Sequence, residues 1–290
     1  MKVQPELKFL FIINPGSGNN KTDWTGPIRD YFESLPHRIE LFDLSDPAAS
    51  QEIKEKIEEF RPQRVVAVGG DGTVKLAAKY LLQTDIPLGI LPAGSANGLA
   101  KELGIPDDYG RALDILIKGE LKKIHVIKIN DEICIHLSDI GFNAFVIKKF
   151  EGSGGRGMWG YLKASWKVLW DRPLMQIEMQ IGNKSIKRQA AMVVVANARR
   201  YGSGALINPD GKLDDDVFEV IVVKKVSIAE IFKMMVTHSA YNPRKTEVFQ
   251  TGSLRMFSRV KAHFQVDGEY LGKVNNITAA IIPGALDVIC

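Results

Sequence analysis

The segment that decides the fold is Val65-Val66-Ala67-Val68-Gly69-Gly70-Asp71-Gly72-Thr73. Four apolar residues before a glycine-rich turn predict a buried strand, and Val74 to Leu82 continues with helical spacing. Such a turn directs backbone amides outward, and the helix N-terminus adds partial positive charge, which suits a phosphate group. A tight strand-to-helix connection with Thr73 as N-cap explains the glycines equally well.

Asp71 is the unusual member of this turn. A carboxylate beside bound phosphates makes sense if Mg²⁺ lies between them, or if the carboxylate orders the loop. Glycine at three of the four positions 69–72 indicates that another group approaches the backbone closely.

Short apolar runs and helical stretches alternate through about the first 120 residues, beginning with Leu7 to Ile13. This alternation predicts an α/β domain with a parallel sheet. Two more loops rich in Gly, Ser and Asn follow predicted strands, namely Asn14-Pro15-Gly16-Ser17-Gly18 and Pro92-Ala93-Gly94-Ser95-Ala96-Asn97-Gly98. Ligands of open α/β sheets bind beyond the carboxyl ends of strands, so the three loops are expected to form one site.

After Lys122 the sequence becomes rich in β-type runs, with turn signals at Asn130-Asp131 and Gly182-Asn183. We therefore predict an antiparallel β-sandwich as the second domain, with domains at 1–122 and 123–290. Two helices are predicted within it. They are a tryptophan-rich helix that contains Trp159, Trp166 and Trp170 with Lys163 and Lys167, and an amphipathic helix at Ile228 to Val236.

Composition limits the class of protein. The 290 residues are 45% hydrophobic and 25% charged, which excludes collagen-like and disordered chains. Cys134 and Cys290 are too few for a disulfide framework or a zinc site and fit a reducing compartment, with the cytosol as the default. The sequence contains no run of about 18 apolar residues, so no membrane-spanning segment is predicted. Net charge is −3 over 1–122 and +7 over 123–290, so the second half favours an anionic surface or is simply well solvated.

Two acidic turns occur in the second half. Asp214-Asp215-Asp216 precedes the predicted strand Val217 to Val223, and Asp267-Gly268-Glu269 follows the strand that ends at Val266. Adjacent carboxylates can hold a hard cation together with backbone carbonyls, although a solvated turn is the more common reason for such a run.

Gly152 to Gly157 matches a dinucleotide motif only formally and is predicted to be a flexible loop.

Taken together, these motifs resemble the diacylglycerol kinase catalytic family, which includes bacterial lipid kinases, sphingosine kinases and ceramide kinases. The resemblance covers nearly the whole chain in motif order: Asn14 to Gly18, Gly69 to Thr73, Pro92 to Asn97, Asp214-Asp215 and Asp267 to Glu269. It implies an α/β nucleotide-binding domain followed by a β-sandwich domain.

The resemblance also implies roles for individual residues. ATP would be held by Asn14 to Gly18, by Gly69 to Thr73 and by Gly94, Ser95 and Asn97. Mg²⁺ would be held by Asp215 with backbone carbonyls near Lys212 and Val217, and Asp214 is the neighbouring candidate. Asp267 or Glu269 would accept the proton from a lipid hydroxyl, and Asp71 completes the candidate catalytic set.

Three positions differ from what is common in bacterial members of that family. The loop Gly94 to Gly98 looks closer to sphingosine and ceramide kinases. His125 stands where many bacterial diacylglycerol kinases have Asp, and Arg199-Arg200 follows Asn197-Ala198 where Gly is frequent.

The expected partner is a lipid substrate. Peripheral contact with the inner face of the membrane is a further candidate interaction. The tryptophan-rich helix either lies at that interface or packs on the sandwich and lines an acyl pocket. A homodimer is a further candidate assembly, and no nucleic acid is expected. The alternatives are a kinase similar to NAD kinases and a non-catalytic lipid-binding protein of the same fold.

Overall fold

The computed structural model describes residues 6–18, 23–44, 47–151, 174–200, 206–227, 230, 233 and 242–290. The predicted tryptophan-rich helix and the loop Gly152 to Gly157 lie outside the described residues, as does most of the helix predicted at Ile228 to Val236. Within the described residues, no helix has both the length and the apolar content that a membrane span requires. The chain divides into two compact units, Met1–Ile124 with Gly284–Cys290, and His125–Pro283.

The first unit contains a parallel sheet in the order β4-β3-β1-β2. Its strands are β1 (Lys8–Ile13), β2 (Arg38–Asp43), β3 (Arg64–Gly69) and β4 (Leu88–Pro92). Its helices are α1 (Thr25–Phe32), α2 (Ile53–Phe60), α3 (Asp71–Leu81), α4 (Gly98–Glu102) and α5 (Tyr109–Lys118), with a 3₁₀ helix at Pro47–Glu52. The central strands β1 and β3 are buried along almost their whole length, as expected where a parallel sheet is covered on both faces. The predicted α/β architecture is confirmed.

The C-terminal segment Gly284–Cys290 belongs to this first unit. Val288 pairs in parallel with Leu88, at the edge of the sheet that β4 would otherwise leave open. The predicted division into 1–122 and 123–290 had placed this segment in the second domain. The structure differs because the segment's backbone hydrogen bonds are made with the first unit.

The second unit is built from antiparallel strands. In chain order its elements are β5 (Leu121–Ile129), β6 (Glu132–Cys134), β7 (Leu137–Gly141), α6 (Phe142–Glu151), β8 (Met175–Ile181), β9 (Lys184–Ala190), β10 (Met192–Ala196), β11 (Phe218–Val223), a 3₁₀ helix at Pro243–Lys245, β12 (Thr246–Thr251), β13 (Ser253–Val266) and β14 (Glu269–Ile289). β5 begins, and β14 ends, in the first unit. The strands follow the order β12-β11-β10-β7-β13-β14, and β8 pairs with both β13 and β9. The prediction of an antiparallel second half is confirmed.

Two apolar clusters give the second unit its core. β8 alternates buried and exposed residues, which is typical of a strand with one solvated face. β10 and β11 are buried on both faces. Val193 and Val195 of β10 belong to one cluster, whereas Val194 belongs to the other. The middle of this sheet is therefore covered by apolar side chains on both sides.

The tight turns lie where the sequence predicts them. Asn130 joins β5 to β6 at φ 51°, and Gly182 joins β8 to β9 at φ 54°. Asp267 and Gly268 join β13 to β14 at φ 50° and 88°. Residues at positive φ in two-residue hairpins are mostly Asn, Asp or Gly, because these pay the least steric penalty there.

Candidate functional site

The first two glycine-rich loops are joined through Asn14, which follows β1. Its backbone amide donates to the carbonyl of Val68 at 3.0 Å. Its side-chain Nδ2 donates to Thr73 Oγ1 at 3.2 Å, and its Oδ1 accepts from the Gly16 amide at 3.0 Å. A single asparagine therefore shapes its own loop and links it to the turn after β3.

Glycines allow the loops to pack against one another. A Cβ added at Gly94 would lie 2.4 Å from Gly70 Cα, and one added at Gly18 would lie 2.7 Å from the Ala93 carbonyl oxygen. Neither position tolerates a side chain without backbone movement. The three predicted loops are thus brought together at the carboxyl ends of the strands of the first unit.

The glycines of the central turn have different roles. A Cβ at Gly69 would meet Thr73 Oγ1 at 2.3 Å, so the group that approaches this glycine closely is a side chain of the same turn. At Gly72 a Cβ would meet none of the described residues within 4 Å, and this glycine is exposed. Gly72 therefore faces open space in the described structure, while Gly69 makes room for the chain itself.

No side chain in the described part of the chain caps the start of α3. Its N-cap is Gly70, in an extended conformation. Thr73 lies in the first turn and accepts from Asn14 Nδ2, so the reading of Thr73 as N-cap is wrong. An uncapped helix N-terminus has amides and partial positive charge available for an anion.

Asp71 holds the third loop. Its Oδ2 accepts from the Gly98 amide at 2.9 Å and its Oδ1 from the Leu99 amide at 3.1 Å. Asn97, at φ 52°, closes the same loop with two side-chain hydrogen bonds to the backbone of Gly94, at 2.9 and 3.0 Å. Of the two roles considered for Asp71, ordering of the loop is the one these hydrogen bonds show.

In the second unit, the Asp267 carboxylate is held by backbone amides. Oδ2 accepts from Ile135 at 3.0 Å, and Oδ1 accepts from His136 at 2.9 Å and from Leu137 at 3.1 Å. The Cys134 thiol lies 3.5 Å from Oδ1. Both carboxylate oxygens are therefore directed at the segment between β6 and β7.

Glu269 is placed differently, although it lies only two positions after Asp267. It is exposed, and it begins β14 opposite Val266. The two carboxylates that the sequence left as alternatives are thus distinguished by their surroundings.

The Asp214 to Asp216 turn contains one buried carboxylate oxygen. Asp215 Oδ1 is buried and has no hydrogen-bond partner among the described residues, whereas Asp214 and Asp216 are exposed. The described part of the chain contains no cluster of three or more His, Cys, Asp or Glu side chains that could hold a metal ion. A cation here would depend on Asp215 and on backbone oxygens, and oxygen ligands of this kind fit Mg²⁺.

Sequence reasoning missed a buried polar group beside the Asp267 turn. Asp139 and Gln265 are each 1% exposed and are hydrogen-bonded to one another at 2.5 Å. A carboxylate inside the otherwise uncharged strand Leu137–Gly141 is the signal that could have revealed it.

Comparisons with known proteins agree with the resemblance. The model of the diacylglycerol kinase catalytic domain matches residues 8–129, and that of the YegS C-terminal NAD kinase beta sandwich-like domain matches residues 155–290. A Chromohalobacter salexigens protein named "Probable lipid kinase YegS-like" is 28% identical over 237 residues, 77% of this chain and 74% of that protein. A diacylglycerol kinase of Bacillus subtilis is 26% identical over 218 residues, 72% of this chain and 71% of that protein.

The fold agrees as well. The crystal structure of a diacylglycerol kinase from Bacillus anthracis matches 97% of this chain and 96% of its own, with a TM-score of 0.72 and 18% sequence identity. Matches to a catalytic-domain model and to a β-sandwich-like model follow one another along the sequence. The chain therefore belongs to the diacylglycerol kinase catalytic-domain family and is a lipid kinase.

Proposed function

We propose that this lipid kinase transfers the γ-phosphoryl group of ATP, with Mg²⁺, to a hydroxyl group of a lipid such as diacylglycerol or a sphingoid lipid. The observation that carries the proposal is the meeting of three loops around the uncapped start of α3, with open space at Gly72. This arrangement suits a polyphosphate, because amides and the helix dipole act on the same anion.

The first unit supplies the nucleotide site in this proposal. The loops Asn14 to Gly18, Gly69 to Thr73 and Gly94 to Asn97 hold the ATP. Asp71 keeps the third loop in place through the Gly98 and Leu99 amides. Phosphoryl transfer asks little covalent chemistry of the protein, so positioning and neutralisation of charge are its main contributions.

The second unit supplies the acidic groups. We assign the general base to Glu269, because a base must be accessible to the substrate hydroxyl. Glu269 is exposed at the start of β14, whereas the Asp267 carboxylate is partly buried and holds three backbone amides. Asp267 then fixes the turn from which Glu269 projects.

The proposed Mg²⁺ ligands are the Asp215 carboxylate and the carbonyls of Lys212 and Val217, with Asp214 as a neighbour. The support from the structure is Asp215 Oδ1, which is buried and has no hydrogen-bond partner within the described ranges of the chain. When bound, the ion would supply positive charge and fix the ligating segment.

The experiment that tests the function is a transfer assay with γ-labelled ATP and the full chain. The acceptors are vesicles containing diacylglycerol, vesicles containing a sphingoid base, and NAD. NAD is included because the matched C-terminal model is described as NAD kinase-like. Label in a lipid that depends on Mg²⁺ supports the proposal.

Two outcomes would contradict it. Label found in NAD alone would replace the lipid acceptor by a nucleotide. ATP binding without label in any acceptor would favour a non-catalytic lipid-binding protein. Sedimentation of the chain with the same vesicles tests the peripheral membrane contact that a bilayer-resident acceptor requires.

A further inference from the structure

Three polar residues are buried in the second unit beside the acidic turn, and the proposed chemistry uses none of them. Ser138 is fully buried, and Asp139 and Gln265 are each 1% exposed. Their neighbours along the strands, Ile140 and Phe264, are apolar and belong to the core. Burying polar groups in such a place is costly unless every one of them is hydrogen-bonded.

The side chain of Gln265 connects the turn to this buried group. Its Oε1 accepts from the Gly268 amide at 2.7 Å, and its Nε2 donates to Asp139 Oδ2 at 2.5 Å. An amide offers one acceptor and one donor group, and here each has a partner of the opposite kind. Gly268 lies between Asp267 and Glu269, so Gln265 holds the middle of the turn.

Asp139 is itself fixed by the start of α6. Its Oδ1 accepts from the Ala144 amide at 2.8 Å, and its Oδ2 also accepts from Asn143 Nδ2 at 2.5 Å. A carboxylate at a helix N-terminus is stabilised by the unpaired amides and the helix dipole. The carboxylate therefore offers Gln265 an acceptor with a defined position.

The backbone reinforces the same alignment. Gln265 is paired with Asp139, and Val266 with Ser138, in the ladder between β13 and β7. The Ser138 hydroxyl donates to the Gln265 carbonyl at 2.6 Å. Gln265 is thus held at both its backbone and its side chain immediately before the turn.

We propose that Gln265 and Asp139 are positioning residues that set the conformation of the Asp267-Gly268-Glu269 turn and thereby the placement of the Glu269 carboxylate. The inference rests on the proposed function, in which Glu269 is the base. A chain of hydrogen bonds runs from α6 through Asp139 and Gln265 to the Gly268 amide. A base held by such a supporting layer keeps its geometry, and small displacements of a base reduce turnover strongly.

The first test replaces Gln265 with Met, which has similar length but neither the donor nor the acceptor. We expect kcat for lipid phosphorylation to fall at least tenfold, while KM for ATP changes less than twofold. Exchange of the Gly268 amide hydrogen, followed by NMR, is expected to become at least tenfold faster. The matched control is Gln180→Met, an exposed glutamine on β8, which should change none of these values.

The second test uses the pair. Gln265→Glu keeps an acceptor for Gly268 but faces the Asp139 carboxylate, so kcat should fall. Adding Asp139→Asn restores a donor opposite residue 265, and kcat of the double variant should recover at least fivefold over Gln265→Glu. If Gln265→Met does not fold, Gln265→Glu and the double variant still test the proposal. A general loss of stability would not produce the recovery of kcat expected in the double variant.

These measurements distinguish failure of the proposed function from failure of the positioning role of Gln265. Wild-type protein that labels no lipid would overturn the proposed function, while Gly268 exchange would still decide whether Gln265 holds the turn. Unchanged Gly268 exchange in Gln265→Met and in Gln265→Glu would overturn the positioning role. So would a kcat within twofold of wild type in both variants of an active enzyme.

Discussion

Asp267 and Leu137 are joined by a reciprocal pair of hydrogen bonds. The Asp267 amide donates to the Leu137 carbonyl at 2.9 Å, and the Leu137 amide donates to Asp267 Oδ1 at 3.1 Å. The hairpin between β13 and β14 is thereby attached to the start of β7, 130 residues away in sequence. Asp267 therefore has a structural role at this hairpin that does not depend on contact with a substrate.

Exchanging the two acidic groups of this turn for amides should give different results. Asp267→Asn replaces one acceptor oxygen by a donor that faces backbone amides, and an unsatisfied buried amide costs about 1–3 kcal/mol. We therefore expect a lower free energy of unfolding as well as lower kcat. Glu269→Gln should reduce kcat by roughly 10²–10⁴-fold, the usual contribution of a general base. It should lower the free energy of unfolding less than Asp267→Asn does, because Glu269 is exposed.

Urea unfolding measures the stability of both variants, and the lipid transfer assay measures their kcat. Wild-type kcat in Glu269→Gln would show that Glu269 is not the base. Wild-type stability in Asp267→Asn would show that the amide contacts of Asp267 contribute little.

Two glycines of the nucleotide loops should respond in opposite ways to alanine. At Gly94 the added Cβ would lie 2.4 Å from Gly70 Cα, so Gly94→Ala forces two loops apart and lowers the melting temperature. At Gly72 no described residue lies within 4 Å of the added Cβ, and alanine is favourable in a helix, so Gly72→Ala should keep or raise the melting temperature. If Gly72 faces bound phosphate, KM for ATP rises about tenfold, which corresponds to about 1.4 kcal/mol.

Thermal unfolding measures the melting temperatures of the two variants, and activity measured at varied ATP concentration gives their KM for ATP. Unchanged KM in Gly72→Ala would place the phosphates elsewhere. An unaltered melting temperature in Gly94→Ala would mean that the contact between the loops is easily relaxed.

Asp71→Asn tests whether this residue acts through the third loop. One of the two amides of Gly98 and Leu99 loses its acceptor, so the loop that contains Asn97 should loosen. Hydrogen bonds to charged groups contribute about 1.5–3 kcal/mol, and we expect ATP affinity to fall about tenfold or more. Isothermal titration with a non-hydrolysable ATP analogue measures this, with Asp85→Asn, an exposed aspartate of the same unit, as the control. Unchanged affinity in Asp71→Asn would remove the loop from the nucleotide site.

The central turn and the hairpins were predictable because their signals are local. The strand and helix around Gly69 to Thr73 follow from apolar spacing and glycine position alone. Asn130 and Gly182 are turn residues whose conformational preferences act within two or three positions. The grouping of the three loops followed from a general rule on parallel sheets and needed no knowledge of contacts.

Other parts of the structure depend on contacts between distant residues. The strand Lys184–Ala190 has one buried residue, so no alternating apolar pattern marks it, and it forms by pairing with Met175–Ile181. Nothing near Val288 in sequence indicates its pairing with Leu88. The different surroundings of Asp267 and Glu269 likewise come from a segment more than 100 residues away. Sequence alone could therefore propose both carboxylates but could not rank them.

Mg²⁺ should stabilise the protein through Asp215. Asp215 Oδ1 is buried without a hydrogen-bond partner among the residues that the structure describes, and it gains a partner when a cation binds. Binding to the folded state alone raises stability. We expect millimolar Mg²⁺ to raise the melting temperature of the wild type, and EDTA to reverse the effect. Asp215→Ala should abolish the Mg²⁺ response, while Asp210→Ala, an exposed aspartate near the same turn, should retain it. An equal response in Asp215→Ala would place the stabilising cation elsewhere.

His37 should make the stability of the first unit sensitive to pH. Its Nδ1 accepts from the Leu7 amide at 3.3 Å, and its ring packs against Phe9 and Phe32. Burial, and secondarily the charge of Arg64, lowers the pKa of His37 below its ordinary value of 6.5. Protonation would also remove the acceptor that Leu7 uses.

The sign of the effect follows from this direction. A folded-state pKa below the unfolded one means that the unfolded chain binds the proton more readily. The free energy of unfolding should therefore be at its full value above about pH 6.5 and should decrease as the pH falls from there toward the lower folded-state pKa. His37→Gln keeps a hydrogen-bond acceptor but does not titrate in this range, so its stability should decrease less steeply between pH 7 and 5.5. Urea unfolding of both proteins across that range provides the measurement, and parallel profiles would show that the environment of His37 does not shift its protonation.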